Sequence, residues 1–220
     1  MECSCKCNDA DRLFSLYLIT DRKLLPEGCS VETAVEQALK GGLQAVQLRE
    51  KDFTATTKDL LRLAEKMRTL TSRYGARLFI NDRLDIALAV EADGLHLTTT
   101  SMPASAIRRA TGRNFLIGAS THNMTEARLA AAEGVDFITF GPIYDTPSKR
   151  PYGKPVGVEL LGKVVREIPI PVFALGGIKL ERVEEVKRYG CYGVALISGI
   201  LASDNIKERT EQFLKGLQTP

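Results

Sequence analysis

The stretch that decides the fold is residues 171–201, PVFALGGIKLERVEEVKRYGCYGVALISGIL. It contains two short apolar runs, at 172–175 and 193–197, separated by an amphipathic segment. This order predicts two parallel strands joined by a helix. The first run ends at two glycines and the second at Ser198, where exposed backbone N–H groups can approach an anion closely. We therefore expect a phosphate-like anion at the carboxyl ends of these strands.

Six further apolar runs of similar length precede this unit, at residues 16–19, 44–48, 77–80, 94–97, 114–117 and 136–140. The helical segments are 31–40, 57–74, 84–90, 104–110, one from a cap at Asn123 to Gly134, 158–166 and 206–217. Eight alternating strands and helices predict a single-domain (β/α)₈ TIM barrel over residues 14–217, after a flexible N-terminal tail at 1–13. In such barrels, phosphate commonly binds in the loops after strands 7 and 8.

Composition narrows the functional class. The 220-residue chain has a net charge of +3 and no basic run with interleaved aromatic residues, which argues against nucleic acid. No apolar stretch reaches the roughly 20 residues that span a bilayer, and no apolar leader begins the chain, so we expect a cytoplasmic protein. Cys3, Cys5 and Cys7 lack zinc-type spacing and favour reduced thiols. We expect small-molecule substrates, and the sequence does not decide between a monomer and a homo-oligomer.

One connection is much longer than the others. Residues 141–157, GPIYDTPSKRPYGKPVG, join the sixth strand to the next helix without an apolar period. Long loops in compact domains are usually functional, and this one lies at the end of the barrel that carries active sites. Its hydroxyls and cations predict a lid over an anion: Thr146, Ser148, Lys149, Arg150 and Lys154.

Polar residues directly after strands are the other candidates, because that end of a barrel carries catalysis. Arg49 and Lys51 follow the second strand and suit a phosphate or diphosphate, although a surface ion-pair cluster with their acidic neighbours stays open. Asn81 and Asp82 follow the third strand. They could hold Mg²⁺, or Asp82 could cap the helix that begins at Arg83.

The chain has two histidines, and their positions predict different roles. His122 follows Ser120 and Thr121 after the fifth strand, where it could be an acid/base or a hydrogen-bonded loop residue. His96 lies within the fourth strand, which favours an interior histidine with satisfied hydrogen bonds.

Taken together, these pieces resemble the thiamine phosphate synthase/TenI family of barrels. The resemblance covers about residues 14–215 in one order. Its motifs are LYLITD at 16–21, QLREK at 47–51, IND at 80–82, DGLHL at 93–97, GASTH at 118–122, GPIYDTPSK at 141–149, ALGGI at 174–178 and VALIS at 194–198. The resemblance implies a transferase that couples hydroxymethylpyrimidine diphosphate to a thiazole phosphate (carboxylate), giving thiamine phosphate and diphosphate.

The same resemblance implies roles for individual residues. Arg49, Lys51 and Asn81 would hold the diphosphate, Asp82 the Mg²⁺, and Ser120 and Lys149 would assist the leaving group. The remaining substrate contacts would come from Gln47, Thr146 and Ser148, and from the backbone around Gly176, Gly177, Ile197 and Ser198.

One stretch departs from the synthase pattern. Thr98 to Ser101 reads TTTS, and Ser101 stands where the family usually has a second Mg²⁺-binding aspartate. Loss of a carboxylate should weaken a site for this hard cation. The stretch is more similar to the TenI branch, some of whose members are thiazole tautomerases, and His122 would be the acid/base of that reaction. A non-catalytic barrel that binds a phosphate ligand is the third alternative. The retained diphosphate residues favour the synthase.

Overall fold

The computed structural model describes residues 13–50, 56–146 and 154–218. In these residues eight parallel strands pair in sequence order and close into a barrel, which confirms the predicted (β/α)₈ fold. The strands are β1 Leu16–Ile19, β2 Ala45–Leu48, β3 Arg77–Asn81, β4 Gly94–Leu97, β5 Leu116–Thr121, β6 Phe137–Phe140, β7 Val172–Leu175 and β8 Gly193–Leu196. Their carboxyl ends together form what we call the upper rim.

Helices connect the strands around the outside of the barrel. They are α1 Val31–Lys40, α2 Thr57–Tyr74, α3 Leu84–Ala89, α4 Ala104–Thr111, α5 Met124–Ala132, α6 Val158–Glu167, α7 Val183–Arg188, α8 Ser198–Leu201 and α9 Ile206–Gln218. Short 3₁₀ turns at Arg22–Leu24 and Leu180–Arg182 precede α1 and α7. No helix of the described residues is long and apolar enough to cross a membrane.

The fifth strand differs from its predicted bounds of 114–117, because it begins at Leu116 and runs on to Thr121. The Arg108 guanidinium donates a hydrogen bond to the backbone carbonyl of Phe115 at 2.5 Å. Phe115 itself lies before the first residue of the strand. Gly118 lets the strand continue: a Cβ there would lie 2.4 Å from the Phe137 ring and 2.8 Å from the His96 ring. As a result, Ser120 lies inside a strand rather than in the loop after it.

Alternate strand residues face two different hydrophobic environments. Leu16, Leu18, Val46 and Leu78 belong to the large cluster between the sheet and the helices. The intervening residues form a second cluster that fills the barrel lumen: Phe14, Tyr17, Ile19, Ala45, Phe79, Leu116, Phe137, Phe173 and Ala195. Phe14 precedes β1, and its ring lies 5.1–5.6 Å from those of Phe79, Phe137 and Phe173. This aromatic packing closes the lumen at the end opposite the upper rim.

Candidate active site at the upper rim

Above the aromatic packing, the inward-facing positions become polar. In a staggered eight-stranded barrel, inward side chains of alternate strands lie at one height, four to a layer. The observed register gives one layer of Gln47, His96, Thr139 and Ala195. The next layer toward the rim is Ile19, Asn81, Ser120 and Leu175. Continued past the strand ends, the same alternation predicts a further layer of Arg49, Thr98, Gly141 and Ile197. Three residues predicted from the sequence, Gln47, Asn81 and Ser120, therefore share the lumen face, and the alternation predicts the same face for Arg49 and Ile197.

The predicted cation Arg49 has a fixed main chain. Its N–H donates to the hydroxyl of Thr20 at 2.8 Å, and the same hydroxyl donates to its carbonyl at 3.2 Å. Thr20 is buried directly after β1, and its own N–H donates to the carbonyl of Gln47 at 3.0 Å. The next residue, Glu50, accepts from Arg22 at 2.8 Å with its side chain only 3% exposed. This ion pair lies on the helix side of β2, so it leaves Arg49 available to the lumen.

His96 is buried with both ring nitrogens near partners, as the sequence predicted. Nε2 lies 3.1 Å from the Ser120 hydroxyl, and Nδ1 lies 3.4 Å from the hydroxyl of Tyr17. Burial, with a smaller effect from the Arg49 charge, lowers the pKa of His96 from 6.5 to about 3. The imidazole is therefore neutral at physiological pH. It orients the Ser120 hydroxyl, and it does not act as an acid at that pH.

Asp82 lies at the rim and has a left-handed backbone, with φ of 61°. Its carboxylate accepts a short hydrogen bond from the hydroxyl of Ser101. Ser101 is held in turn, because the N–H of Thr98 donates to its hydroxyl at 2.8 Å. The alternative that Asp82 caps α3 is wrong, since the cap residue is Arg83 and no side chain caps that helix. Asp82 and Ser101 thus face each other across the ends of β3 and β4.

The donor set for a metal is sparse in the described part of the chain. No group of three or more histidine, cysteine, aspartate or glutamate side chains is arranged around one point there. Asp82 brings one carboxylate, with the hydroxyl of Ser101 beside it. Mg²⁺ often binds through one or two carboxylates plus water and substrate phosphate. One carboxylate with a neighbouring hydroxyl therefore fits a cation that arrives with a diphosphate.

His122 lies between β5 and α5, with its side chain 46% exposed. Nδ1 lies 2.9 Å from the carboxylate of Glu126, which also accepts the backbone N–H of His122 at 2.8 Å. Asn123 caps α5 by accepting the N–H of Glu126 at 2.9 Å. The predicted cap is thus confirmed, and Glu126 returns with both carboxylate oxygens: one accepts from His122, and the other accepts from the side-chain amide of Asn123 at 2.6 Å. His122 is a hydrogen-bonded loop residue whose Nε2 is not used in this contact.

The two glycines after β7 pack against the long loop. The N–H of Tyr144 donates to the carbonyl of Gly176 at 3.1 Å. A Cβ on Gly177 would lie 2.8 Å from the Cβ of Tyr144. The loop also pairs with itself, since the N–H of Val156 donates to the carbonyl of Pro142 at 2.8 Å. These glycines therefore have a packing role that the sequence argument, which assigned them to anion approach, did not include.

Three backbone N–H groups remain available beside that packing. No described residue accepts a hydrogen bond from the N–H groups of Gly176, Gly177 or Ser198. Ile197 and Ser198 follow β8, which is paired with β7. Thr146 lies in the first part of the long loop, and its hydroxyl donates to the carbonyl of Tyr144 at 3.1 Å. The ends of β7 and β8 thus offer unpaired donors at one place, as an anion site requires.

Some sequence predictions lie outside the described residues. They are Lys51, Ser148, Lys149 and Arg150, together with Cys3, Cys5 and Cys7. The extent of the predicted lid over 141–157 is likewise only partly described. Cys29 and Cys191 are described, and both are free thiols.

Sequence reasoning missed Thr139. It lies in the apolar run of β6 and is 1% exposed, yet its hydroxyl has no hydrogen-bond partner among the described residues. The Nε2 of Gln47, in the same layer, has none either. The only signal in the sequence is alternation, because Thr139 is two residues after Phe137 and shares its inward face.

A cavity of about 630 Å³ lies at the opposite end of the barrel, beside Phe14 and the starts of β2 and β3. Charged side chains in its wall form ion pairs with one another, and the Arg68 guanidinium lies 2.7 Å from the Asp93 carboxylate. The side-chain oxygen of Gln44 accepts the N–H of Ser15 at 2.9 Å. Since active sites of this fold lie at the strand carboxyl ends, the upper rim rather than this cavity is the candidate site.

Comparison with known proteins shows the family to which the chain belongs. A family model described as thiamine monophosphate synthase matches residues 16–200. A putative thiamine-phosphate synthase of Geobacter sulfurreducens is 54% identical over 91% of this chain and 93% of its own length. A thiamine-phosphate synthase of Pyrococcus horikoshii is 41% identical over 89% of the chain and 91% of its own.

Solved structures give the same result. A thiamine phosphate pyrophosphorylase from Pyrococcus furiosus superposes with a TM-score of 0.83 at 36% identity, covering 93% of this chain and 95% of that one. A 3-hexulose-6-phosphate synthase superposes with a TM-score of 0.66 at 16% identity over 92% of this chain and 99% of that one, which indicates the shared barrel only. From its sequence and its fold, this chain belongs to the thiamine monophosphate synthase family.

Proposed function

We propose that the protein is a transferase of thiamine biosynthesis, a thiamine-phosphate synthase. It couples hydroxymethylpyrimidine diphosphate to a thiazole phosphate and releases diphosphate. The observation that carries this proposal is the stack of lumen layers, in which Gln47, Asn81, Ser120 and Arg49 converge below one rim. A ring with a charged tail can lie in such a stack with its ring inward and its diphosphate toward the cations.

The chemical step breaks the bond between the pyrimidine methylene carbon and the diphosphate oxygen, and the electron pair leaves with that oxygen. The methylene carbon becomes cation-like, and the thiazole nitrogen forms the new bond to it. The barrier is lowered by groups that stabilise charge on the departing oxygens. Arg49, with its main chain held by Thr20, supplies a guanidinium there, and Lys51 and Lys149 are expected to add ammonium groups.

Among the groups assigned to the diphosphate, Ser120 is an uncharged hydrogen-bond donor. Its hydroxyl lies 3.1 Å from a histidine that stays neutral, so its orientation does not depend on pH near neutrality. The Asn81 side chain projects from the same layer. Both are half-buried, so they can meet a ligand that enters from the rim. In this arrangement they bind the leaving diphosphate and hold it in line with the methylene carbon.

The cofactor we assign is Mg²⁺, with Asp82 as its protein ligand and the Ser101 hydroxyl beside it. When bound, the cation neutralises negative charge on the diphosphate oxygens. Ser101 replaces a second carboxylate, so we expect weak affinity for the free cation and tighter binding once the diphosphate is present. The thiazole phosphate takes the unpaired N–H groups of Gly177 and Ser198, with Thr146 and Ser148 beside them.

The direct test is an assay with both substrates and Mg²⁺ that measures thiamine phosphate and released diphosphate. Lys51→Ala should lower the rate of coupling far more than it weakens binding of the thiazole phosphate, since its charge is assigned to the diphosphate. Equal losses in both would contradict that assignment. Absence of thiamine phosphate with the wild-type protein would reject the synthase.

A thiazole tautomerase is the second candidate, and the observation in its favour is the pair of His122 and Glu126. A carboxylate 2.9 Å from Nδ1 orients the imidazole and leaves Nε2 to exchange a proton with a ligand, as an acid/base requires. Isomerisation of a thiazole carboxylate phosphate that is lost in His122→Ala, without any coupling activity, would favour this candidate. Binding of a phosphate ligand with neither activity would favour a non-catalytic barrel.

A further inference from the structure

Two polar atoms in the lumen are buried without a hydrogen-bond partner among the described residues: the hydroxyl of Thr139 and the Nε2 of Gln47. Both side chains are 1% exposed. An unpaired buried hydroxyl or amide costs free energy, about 1–3 kcal/mol by mutational data, so folding alone does not favour its presence. The resemblance that led to Gln47 assigns no role to Thr139.

Both atoms belong to the same lumen layer. The register places Gln47 on β2 and Thr139 on β6, on opposite sides of the barrel, with His96 and Ala195 between them around the ring. Ala195 contributes only a methyl group. This layer therefore has two polar side chains without a hydrogen-bond partner among the described residues, and one small side chain. Below it, the aromatic rings of Tyr17, Phe79 and Phe173 form a floor without free donors.

The layer above connects this one to the rim. Asn81, Ser120 and Leu175 are half-buried rather than buried. Inward layers are separated by about one residue of strand rise, roughly 3 Å, which is a hydrogen-bond distance. A ring seated among Asn81 and Ser120 therefore has its inner edge within reach of Thr139 and Gln47. No other described element covers that edge with hydrogen-bonding groups of its own, because His96 already has its partners.

A second buried threonine shows what a purely structural hydroxyl does in this barrel. Thr121, on β5, is 3% exposed and faces away from the lumen, and its hydroxyl donates to the backbone carbonyl of Thr139 at 3.1 Å. Its hydrogen bond is complete without a ligand. Thr139 has the same chemistry and similar burial, yet it faces the lumen and its hydroxyl has no partner in the described part of the chain.

We propose that Thr139 is a substrate-binding residue whose hydroxyl, opposite the Gln47 amide, recognises the polar edge of a heteroaromatic ring. The ligand class is a flat aminated nitrogen heterocycle with an anionic tail, because Nε2 requires an acceptor and a hydroxyl can pair with a donor or an acceptor. This inference rests on the proposed function, in which that ring is the pyrimidine. Beyond that function, it assigns to Thr139 the recognition of the ring edge that lies deepest in the lumen.

The test compares Thr139→Val, Thr139→Ser and the matched control Thr121→Val. Thr139→Val keeps the shape and removes only an unpaired hydroxyl, so its unfolding temperature should equal or exceed that of the wild type. Its Kd for the pyrimidine diphosphate, measured by calorimetry, should rise about tenfold, as expected for one lost hydrogen bond. The KM for the thiazole phosphate should stay unchanged. Thr139→Ser should restore pyrimidine binding.

Thr121→Val should show the opposite pattern, with lower stability and unchanged pyrimidine affinity. If Thr139→Val behaves like this control, its hydroxyl is satisfied within the fold, by a buried water for instance, and the inference is overturned. If the wild type couples the two substrates and Thr139→Val has the same Kd for the pyrimidine diphosphate and the same kinetic constants, this inference fails and the proposed function stands. If the wild type neither couples the substrates nor binds the pyrimidine diphosphate, the proposed function fails, and this inference fails with it.

Discussion

The hydroxyl of Thr20 is bonded to both polar atoms of the Arg49 main chain, accepting from its N–H at 2.8 Å and donating to its carbonyl at 3.2 Å. Strand pairing ends at this point, so ladder hydrogen bonds no longer determine where the chain goes. A single side chain, on the residue that directly follows β1, takes over that role. The direction in which Arg49 leaves β2 is therefore fixed by a residue that carries no charge.

We expect Thr20→Val to lower kcat/KM for coupling by about tenfold or more, because it removes both hydrogen bonds that hold the Arg49 main chain. Most of the loss should fall on the constants for the pyrimidine diphosphate. Steady-state kinetics with each substrate varied in turn would measure this split. Thr20→Ser should recover most of the activity because it keeps the hydroxyl.

A control separates this positioning role from simple loss of a buried hydroxyl. Thr210 lies in α9, is fully buried, and donates to the carbonyl of Ile206 at 2.8 Å. Thr210→Val should lower the unfolding temperature without a change in KM for either substrate. If Thr20→Val and Thr210→Val lose stability alike and both keep wild-type kinetics, Thr20 does not position Arg49.

Replacement of Ser101 tests the assigned metal site. Ser101→Asp places a second carboxylate next to Asp82, so without a cation the two charges should repel and lower the unfolding temperature. Added Mg²⁺ should reverse this, and the affinity for the free cation should rise by about tenfold or more. Thermal unfolding across a Mg²⁺ titration, without substrates, measures both effects.

The control for that experiment is Ser101→Asn, which has similar size and no charge. Its unfolding temperature should respond to Mg²⁺ as weakly as that of the wild type. An equal response in the two variants would mean that residue 101 does not face the cation, and Asp82 would lose its assignment.

His96 makes stability depend on pH in a defined window. Its pKa is about 3 in the folded protein and 6.5 in an ordinary environment. Between these values the unfolded chain binds a proton that the folded chain does not, so stability falls as pH falls below 6.5. The loss at pH 5 relative to pH 7.5 should be about 2 kcal/mol.

Denaturant unfolding at a series of pH values would measure this slope. His96→Gln should be less stable at pH 7.5 but should lose much less on going to pH 5. His122→Gln removes the exposed histidine and should keep the acid-side loss. A His96→Gln slope identical to that of the wild type would show that other groups cause the loss.

The fold could be predicted because its signals are local. Most strands are short apolar runs followed by a glycine or a polar residue, as at Ile19 and Leu48, whereas β5 continues past Gly118. The lumen layers could not be predicted in the same way. They depend on the register between strands, and a shift of one residue would turn Gln47 and Ser120 away from the lumen.

Two residues show the limits of reasoning from the sequence. Thr139 lies in an apolar run and looks like an ordinary strand residue, because its missing partner is a property of the packed barrel. Gly177 was predicted to serve anion approach, but its neighbours are atoms of a loop that is distant in sequence. Chemistry at strand ends was visible in the sequence, whereas contacts between loops were not.

Gly177 therefore provides a test of how the long loop is held. Its φ is 66°, and a Cβ would meet the Cβ of Tyr144 at 2.8 Å and the carbonyl of Asp145 at 2.9 Å. Tyr144 is itself held, with its hydroxyl bonded to Glu185 and its ring 4.2 Å from the Arg182 guanidinium. Gly177→Ala should thus destabilise the protein by about 2–4 kcal/mol, from backbone strain plus a clash that the loop cannot easily relieve.

Gly75 is the matched control, because its φ is also 66° and a Cβ there would meet no atom within 4 Å. Gly75→Ala should cost only the strain, about 1 kcal/mol. The difference between the two variants, measured by denaturant unfolding, isolates the contact between the glycine turn and the loop. If that contact also keeps the N–H groups of the phosphate site in place, Gly177→Ala should raise the KM for the thiazole phosphate, and Gly75→Ala should not. Equal destabilisation by both variants would show that the loop moves aside at little cost and does not depend on this turn for its position.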